Sequence, residues 1–575
     1  MKTIRTIYYT FLAGALLTFV SCSKDYLEYD PKGQVSEEDI ATAENADGLV
    51  TAAYAGIAND EMIGPLTHLW VYGSVRSDDA YKGGGGRGDV PVVDHYEQYN
   101  LTRADDDDDW MAPRTWTNFY KAISRANFAL SVIKDLSEEE FPQKAIRMAE
   151  LRFLRGHSHF MLKLLFKKIP YIAEGLSEEE VLEISNDMSN EDLWNTIAED
   201  FLFAFENLPE TQENQPGRAD KSAAAAYLAK LRLYQAYEQD ENHQVVNINA
   251  SRLEEVITYA NAVSGSLEPD FANNFLDGHD NGSESIWAAQ FSINDGTEVG
   301  RVSFATGLNS PHGTALYGCC GFHLPSQNMV NAFKTDGDGL PLLDNFNASD
   351  MADTEDFTSV DPRLDHTIGV PGRPFKYRNK VKEDGDMIYS ASWARDPGVY
   401  GIFGNMKEQQ APDCSCYVKE GPFVGTSKNV DFIRYADVLL FKAEALIQLN
   451  RYNEALPIIN QIRERAAASI SRPLEAGASD IYNIESYPSF SSKEEALKAL
   501  KFERRLEFAM EGHRFFDLVR WGEAAEVLNA YLEEEKTKRD FLANAQFTAG
   551  RDEYYPIPQR EIDFTGGLYK QNPGY

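Results

Sequence analysis

Cysteine, positive charge and long apolar runs are all scarce in this sequence, and each shortage closes off a class of function. Lys and Arg number 55 against 91 Asp and Glu, a formal net charge of −36 over 575 residues. Such a chain lacks the clustered cations that grip phosphates, so nucleic acid is excluded as a partner. The densest apolar run, Phe11 to Val20, falls short of the roughly 20 residues that a membrane helix needs. The catalytic spacings G-x-S-x-G and H-E-x-x-H are missing, which removes the commonest serine-hydrolase and zinc-protease signatures. GGGGRGD, residues 83–89, lacks the G-K-[ST] ending of a phosphate loop and reads as a flexible turn.

The short apolar run has a different use. Lys2 and Arg5 precede it, as in a secretory signal, and Phe19-Val20-Ser21 lead into Cys22. That arrangement resembles the lipobox of bacterial lipoproteins, in which the leader is cut before a lipidated cysteine. Residues 1–21 are therefore expected to be removed, with Cys22 carrying acyl chains that anchor the mature protein. SKDYLEYDPKGQ, just after the cysteine, reads as a polar tether.

Four cysteines remain, as Cys319-Cys320 and Cys414-x-Cys416. In an oxidising compartment a disulfide between the two clusters is one arrangement. Zinc prefers pairs two to four residues apart, so cysteines near a ligand surface, free or bridged, fit the spacing better. Glycoside hydrolysis needs two carboxylates flanking the scissile bond, and acidic residues are so abundant that no pair stands out. The run Asp105–Asp109 reads as a solvated loop, with a calcium site as its alternative; no other cofactor is expected.

What the chain has in quantity is helical periodicity. Blocks at Lys121–Leu136, 143–171, 193–209 and 221–239 carry apolar residues at helical spacing. Two longer blocks follow at Phe432–Ala466 and Glu494–Gly522. In the first, Asn450-Arg451-Tyr452 breaks the pattern as a turn between paired helices, in the manner of tetratricopeptide-like repeats. Between about 265 and 430, and again from Leu66 to Pro113, Gly, Pro, Asn, Asp and aromatics take over, with strand-like pieces such as Ser285–Ile293. Irregular segments of this length are functional when they are as rich in aromatics as these. With no Pro/Gly/Ser linker, residues 22–575 read as a single unit with an N-terminal part (22–240) and a C-terminal part (265–575), loop-rich over 265–430.

Several segments resemble the SusD/RagB family of outer-membrane nutrient-binding lipoproteins. They are SVRSDDAYKGG, WTNFYKAISRAN, AELRFLRGHSHFMLKLLFKKIPY, HLPSQNMVNAFKTDGDG, IRYADVLLFKAEALIQLNRYNEALPIINQIRERA, FERRLEFAMEGHRFFDLVRWG and the terminal YYPIPQREIDFTGGLYKQNPGY. The resemblance implies a mainly α, SusD-like fold: tetratricopeptide-like helix pairs as scaffold, a loop-rich ligand-binding face and a few short strands. It also implies a non-catalytic protein, lipid-anchored in the outer membrane and facing the cell exterior, that captures glycans for a SusC-like TonB-dependent transporter. Within the family motifs, Arg434, Glu444, Arg504, Arg505, Glu507, His513, Arg514 and Asp517 read as ion pairs and caps between helices. Trp116, Tyr120, Trp194, Trp287 and Trp521 fall on periodic positions and read as core.

A sugar ring offers an apolar C–H face and a rim of hydroxyls, so its site wants an aromatic platform edged by polar groups. Candidates are the aromatics outside the periodic blocks and the polar residues beside them. In the first loop region these are Trp70, Tyr81, Tyr96 and the Asp78-Asp79 pair, with Tyr72 and His95 close by. LYGCCGFHLP contributes Tyr317, Cys319, Cys320 and Phe322; MIYSASWARDPGVY contributes Tyr389, Trp393, Arg395 and Tyr400. Trp393 leads this group, and Trp110 is a further platform candidate. Two other classes compete with a binding lipoprotein: a surface-anchored glycoside hydrolase, and a helical scaffold or adhesion protein without a small ligand.

Overall fold

The computed structural model describes residues 40–575 apart from 59–60, 103–109, 213, 294, 297–300, 353, 379–386 and 479–480. The leader, Cys22, the tether and Asp105–Asp109 lie outside the described residues.

Among the described residues, eleven helices carry most of the architecture: α1 Ala46–Ile57, α2 Ala112–Asp135, α3 Lys144–Phe166, α4 Asn190–Asn207, α5 Lys221–Ala236, α6 Ala250–Ala260, α7 Tyr435–Gln448, α8 Tyr452–Ala468, α9 Lys493–Glu507, α10 Arg514–Trp521 and α11 Ala524–Glu535. From α1 to α8 each helix packs on the next, and α9 closes on α7 and α8. That is the stacking of tetratricopeptide-like pairs, in which each pair buries its apolar stripe against its neighbours. Local signals set the ends. Pro113 occupies the first turn of α2, where its missing N–H costs nothing. Asp220 caps α5 by accepting from the Ala223 amide at 2.9 Å. The alanine run of α5, Ala223–Ala226, is wholly buried, which lets α4, α6 and α7 all approach it.

α6 packs directly on α7, although residues 261–434 separate them in sequence. The loop-rich stretch therefore leaves the stack between two neighbouring helices and returns to it. Its re-entry is a strand pair: Val430–Arg434 runs antiparallel to Ser285–Ala289. A second pair, Ala80–Gly83 with Phe322–Pro325, ties the first loop region to the second. There are five two-stranded sheets among the described residues.

Two expected helical blocks need correction. Phe432–Arg434 belongs to the returning strand, because its backbone pairs across to β-strand Ser285–Ala289 instead of forming a first helical turn. The block Glu494–Gly522 is two helices, α9 and α10. Met510 (φ +64°) and Gly512 (φ +82°) turn the chain between them into the left-handed region, which a right-handed helix cannot continue.

The family-motif charges do sit between packed helices. Arg504 donates to Asp517 at 2.6 Å and to Asp437 at 3.2 Å. Arg520 pairs with Glu444, which also accepts from the Trp521 indole at 2.9 Å. Glu507, fully buried, takes Arg363, Arg434 and Arg465 together. Trp116, Trp194, Trp287 and Trp521 are buried as read, and Tyr120 is half-buried with its hydroxyl on Pro170 O.

Candidate functional site

The candidates of the first loop region are interior. Trp70 is buried, with its indole N–H on Ala305 O at 3.3 Å and its ring against Phe322 and His323. Tyr81 donates to Glu535 at 2.6 Å and meets Phe541 edge-on; Tyr400 packs on the same Phe541 ring. Tyr96 lies against Tyr555, and its hydroxyl accepts from the Ala112 amide at 3.1 Å. Phe322 is fully buried, with the Lys82 ammonium 5.4 Å from its ring centre. Tyr72 is buried as well, bonded to Thr115, while His95 is half-buried. Tyr72, Tyr81, Tyr96 and Tyr400 are covered by residues 535–555 near the C-terminus, and Trp70 by residues 305–323, none of which the local sequence shows. None of these buried rings is a platform.

Asp78 and Asp79 are also structural. Arg514 donates to Asp78 at 2.8 Å, and Arg505 reaches Asp79 at 2.9 Å and Asp78 at 3.2 Å. Burial alone would raise the Asp78 carboxyl, but Arg505 and Arg514 outweigh it and hold it at about 2. Ser326 then bonds the Asp78 and Asp79 carbonyls. The pair thus clamps the first loop region onto α9 and α10 rather than offering hydroxyl acceptors to a sugar.

The second group converges. Tyr317, Tyr389 and Trp393 join Phe375, Met387 and Met406 in a small hydrophobic cluster separate from the main core. Trp393 sits edge-on to Tyr389 at 5.5 Å and to Phe375 at 5.8 Å. Only 8% of Trp393 is exposed, so it is the support of a surface and not the platform itself. The Tyr389 hydroxyl is buried with no partner among the described residues, and burial pushes its pKa above the ordinary phenol value. Trp393→Ala is expected to destabilise this cluster by about 3–5 kcal/mol. Limited proteolysis within residues 387–395 checks this, because cleavage there should accelerate while the helical stack stays intact.

Above the cluster three loops meet around Arg395. Its guanidinium pairs with Asp89 at 2.9 Å and donates to Cys320 O at 3.3 Å, with a third of the side chain exposed. Asp89 also accepts from the Gly85 amide at 2.9 Å, and the Lys82 ammonium bonds Gly86 O and Asp89 O. GGGGRGD is therefore a held turn, correcting the expectation of a flexible one. Gly83, Gly84 and Gly86 take positive φ there, and a β-carbon on Gly85 would lie 2.6 Å from the Arg395 guanidinium. From the other side, the His312 amide bonds Trp393 O, and Gly313 fits against Ser392 O. The face thus presents the Arg395–Asp89 pair, glycine backbone, Ser390 and Ser392 hydroxyls and a half-buried Cys319. These groups donate and accept hydrogen bonds at a rim of polar atoms over buried aromatic rings, which suits a hydroxylated ligand. Trp110 is exposed at 43%.

The cysteines pair within their clusters, Cys319 with Cys320 and Cys414 with Cys416, and not between them. Sequence neighbours leave the two clusters on different loops, Cys319 bonding Pro422 O and Cys414 bonding Ala411 O through their amides. The Asp277 carboxylate lies within 4.8 Å of the Cys414 and Cys416 sulfurs, but bonded sulfurs offer a metal no thiolate. The sequence alone did not single out Asp89, which ends the run read as a flexible turn, or Phe375, which stands outside any motif. The glycine run beside Asp89 was the available signal, since four successive glycines mark backbone that must approach another chain segment closely.

Comparison with known proteins covers nearly the whole chain. The family model described as "SusD family" matches residues 283–575, and one described as "Starch-binding associating with outer membrane" matches residues 26–233. SusD-like protein P2 of Formosa agariphila is 26% identical over 97% of this chain and 98% of its own length. Among solved structures, a SusD-like protein from Bacteroides fragilis superposes with a TM-score of 0.69 at 20% identity, covering 94% of this chain and 99% of that one. Surface glycan-binding protein A from Bacteroides thetaiotaomicron, solved in complex with laminarihexaose, gives 0.65 at 19% identity, covering 92% and 99%. The helical stack, the loop-bearing side and these matches agree, and the chain belongs to the SusD family.

Proposed function

We propose that this protein is a non-catalytic, cell-surface glycan-binding lipoprotein that captures oligo- or polysaccharide on the Arg395 face. It passes the glycan to a SusC-like TonB-dependent transporter and is held to the outer membrane by acyl chains on Cys22. The observation that carries the reading is the convergence of the 83–89, 310–321 and 390–396 loops around Arg395, over the Trp393 cluster. Support comes from a fold neighbour solved with a bound glucan hexasaccharide and from a family description that names starch binding and the outer membrane. The Arg395–Asp89 ion pair holds the Asp89 carboxylate on a cation, which favours binding over acid–base work by that residue.

A glycan array probed with the mature protein tests this. Retention of at least one oligo- or polysaccharide is expected, with no shortened products when that glycan is incubated with the protein and chromatographed. Shortened products would replace the reading with a surface hydrolase.

A further inference from the structure

A second, separate site lies where the loop-rich insertion meets the C-terminal turn between α9 and α10. A cleft of about 700 Å³, its open mouth included, is walled there by residues 67–68, 274–275, 407–410, 426–431 and 510–513.

All the charges along its wall but Asp431 are paired. Lys407 and Arg434 both pair with Glu511, at 2.7 and 2.9 Å. Lys428 pairs with Asp280 at 2.7 Å, and Glu408 with His323 at 3.0 Å. No cation is left over to select an anion, and no cluster of ligands to hold a metal ion is found here among the described residues. What remains is neutral or acceptor chemistry. Thr67 is 7% exposed, and its hydroxyl, itself buried, has no partner among the described residues, an unmet demand that a ligand hydroxyl entering the wall would satisfy. His68 and His513 are held neutral, His513 pushed down to about 3 by burial and by Lys230 and Arg504. A neutral imidazole both donates and accepts, as a sugar hydroxyl does. Asp431 bonds Ser285 through one carboxylate oxygen and has no ion-pair partner within 4 Å among the described residues. Half-buried Phe275 supplies apolar surface, and Met510, itself buried, is part of the same wall.

We propose that this cleft binds one uncharged, hydroxylated ring of pyranose size, as a site distinct from the Arg395 face. Its apolar side lies toward Phe275 and Met510, and its hydroxyls bond Thr67, His68, His513 and Asp431. The assignment rests on the glycan-binding reading and deepens it. The Tyr317 hydroxyl donates to Gln410 O at 2.9 Å, so the cluster beneath the face also backs the cleft. One captured chain would then find the polar Arg395 face on one side of that cluster and a single-residue pocket on the other.

Saturation-transfer NMR with glucose, galactose and mannose, set against glucuronate and galacturonate, tests the proposal on the mature protein. At least one neutral sugar should bind, the uronates at least about tenfold more weakly. Thr67→Val and Asp431→Asn, both nearly isosteric, should each weaken the neutral sugar about tenfold, whereas Arg395→Ala should leave it within about twofold. Fold integrity of both variants is read from an unchanged thermal midpoint and retained polysaccharide binding on the face. Binding of no neutral sugar, equal binding of uronates, or indifference to both cleft variants would overturn the cleft site. If polysaccharide is still retained through Arg395 in those cases, only the cleft falls; if no glycan of any size is retained, the reading beneath it falls too.

Discussion

Glu507→Gln is expected to cost about 3–5 kcal/mol of folding stability, because it leaves three buried arginines without the carboxylate they share. Arg363 and Arg434 reach Glu507 at 3.1 and 3.0 Å, and Arg465 contacts it as well. Glu284 takes Arg434 and Arg465 from the other side, so the cluster joins α8, α9, the returning strand and the loop-rich insertion. All these side chains are essentially withdrawn from water. In that setting an uncompensated charge costs far more than an intact pair contributes. The pH dependence follows from the same contacts. Burial would raise the Glu507 carboxyl, but Arg465, Arg434 and Arg363 outweigh it and hold its pKa far below the ordinary carboxylate range. A group depressed in the folded state stabilises fully above its unfolded pKa of about 4.3 and loses that contribution as pH falls toward the folded value. Urea unfolding should therefore show a constant gap between wild type and Glu507→Gln from about pH 8 to pH 5, closing below about pH 4. A gap of under about 1 kcal/mol at pH 7 would show that the cluster is solvated and unimportant.

The second large effect comes from a glycine. A β-carbon at Gly73 would stand 1.8 Å from the carbonyl oxygen of Gly512 and 2.4 Å from its carbonyl carbon. Both are backbone atoms, so no rotamer change relieves the clash. Gly73 lies in the buried helical turn Trp70–Val75, which delivers Asp78 to Arg505 and Arg514, and Gly512 is the residue that separates α9 from α10. Gly73→Ala should therefore push apart the two regions that the Asp78 clamp holds, costing more than about 4 kcal/mol. The expected outcome is insoluble protein, or soluble protein without near-ultraviolet circular dichroism. Gly48→Ala is the control. It lies in α1 with nothing within 4 Å of the added carbon, and it should be neutral or stabilising by up to about 1 kcal/mol. Equal behaviour of the two variants would refute the close approach at Gly73.

Most of the helical stack was readable because its longer helices carry their own periodicity, and the turn at Asn450 announced the α7–α8 pair; α1 and α6, shorter helices, fell outside the blocks read from the sequence. The break inside Glu494–Gly522 was harder, since the apolar pattern continues across it. Only Gly512 hints at the left-handed turn. Charges in the C-terminal motifs were correctly read as ion pairs, because arginines and acids at helical spacing in apolar surroundings need partners. The aromatics resisted for the opposite reason. Trp70, Tyr81 and Tyr96 lie in short elements whose sequence carries no clear periodicity, and what buries them (Ala305, Glu535, Phe541, Tyr555) is hundreds of residues away. Composition could mark them as loop aromatics but could not say which side of the loop faces water. Arg395 was readable as a polar neighbour of Trp393, whereas its partner Asp89 was hidden in a glycine run.

The most direct test of the account is native gel electrophoresis of the mature protein through gels containing the best glycan from the array. The account predicts that wild type is retarded and that Arg395→Ala runs nearly as fast as in a glycan-free gel, with unchanged thermal stability. Retardation of Arg395→Ala equal to that of wild type, or wild-type migration unaffected by every glycan, would contradict it.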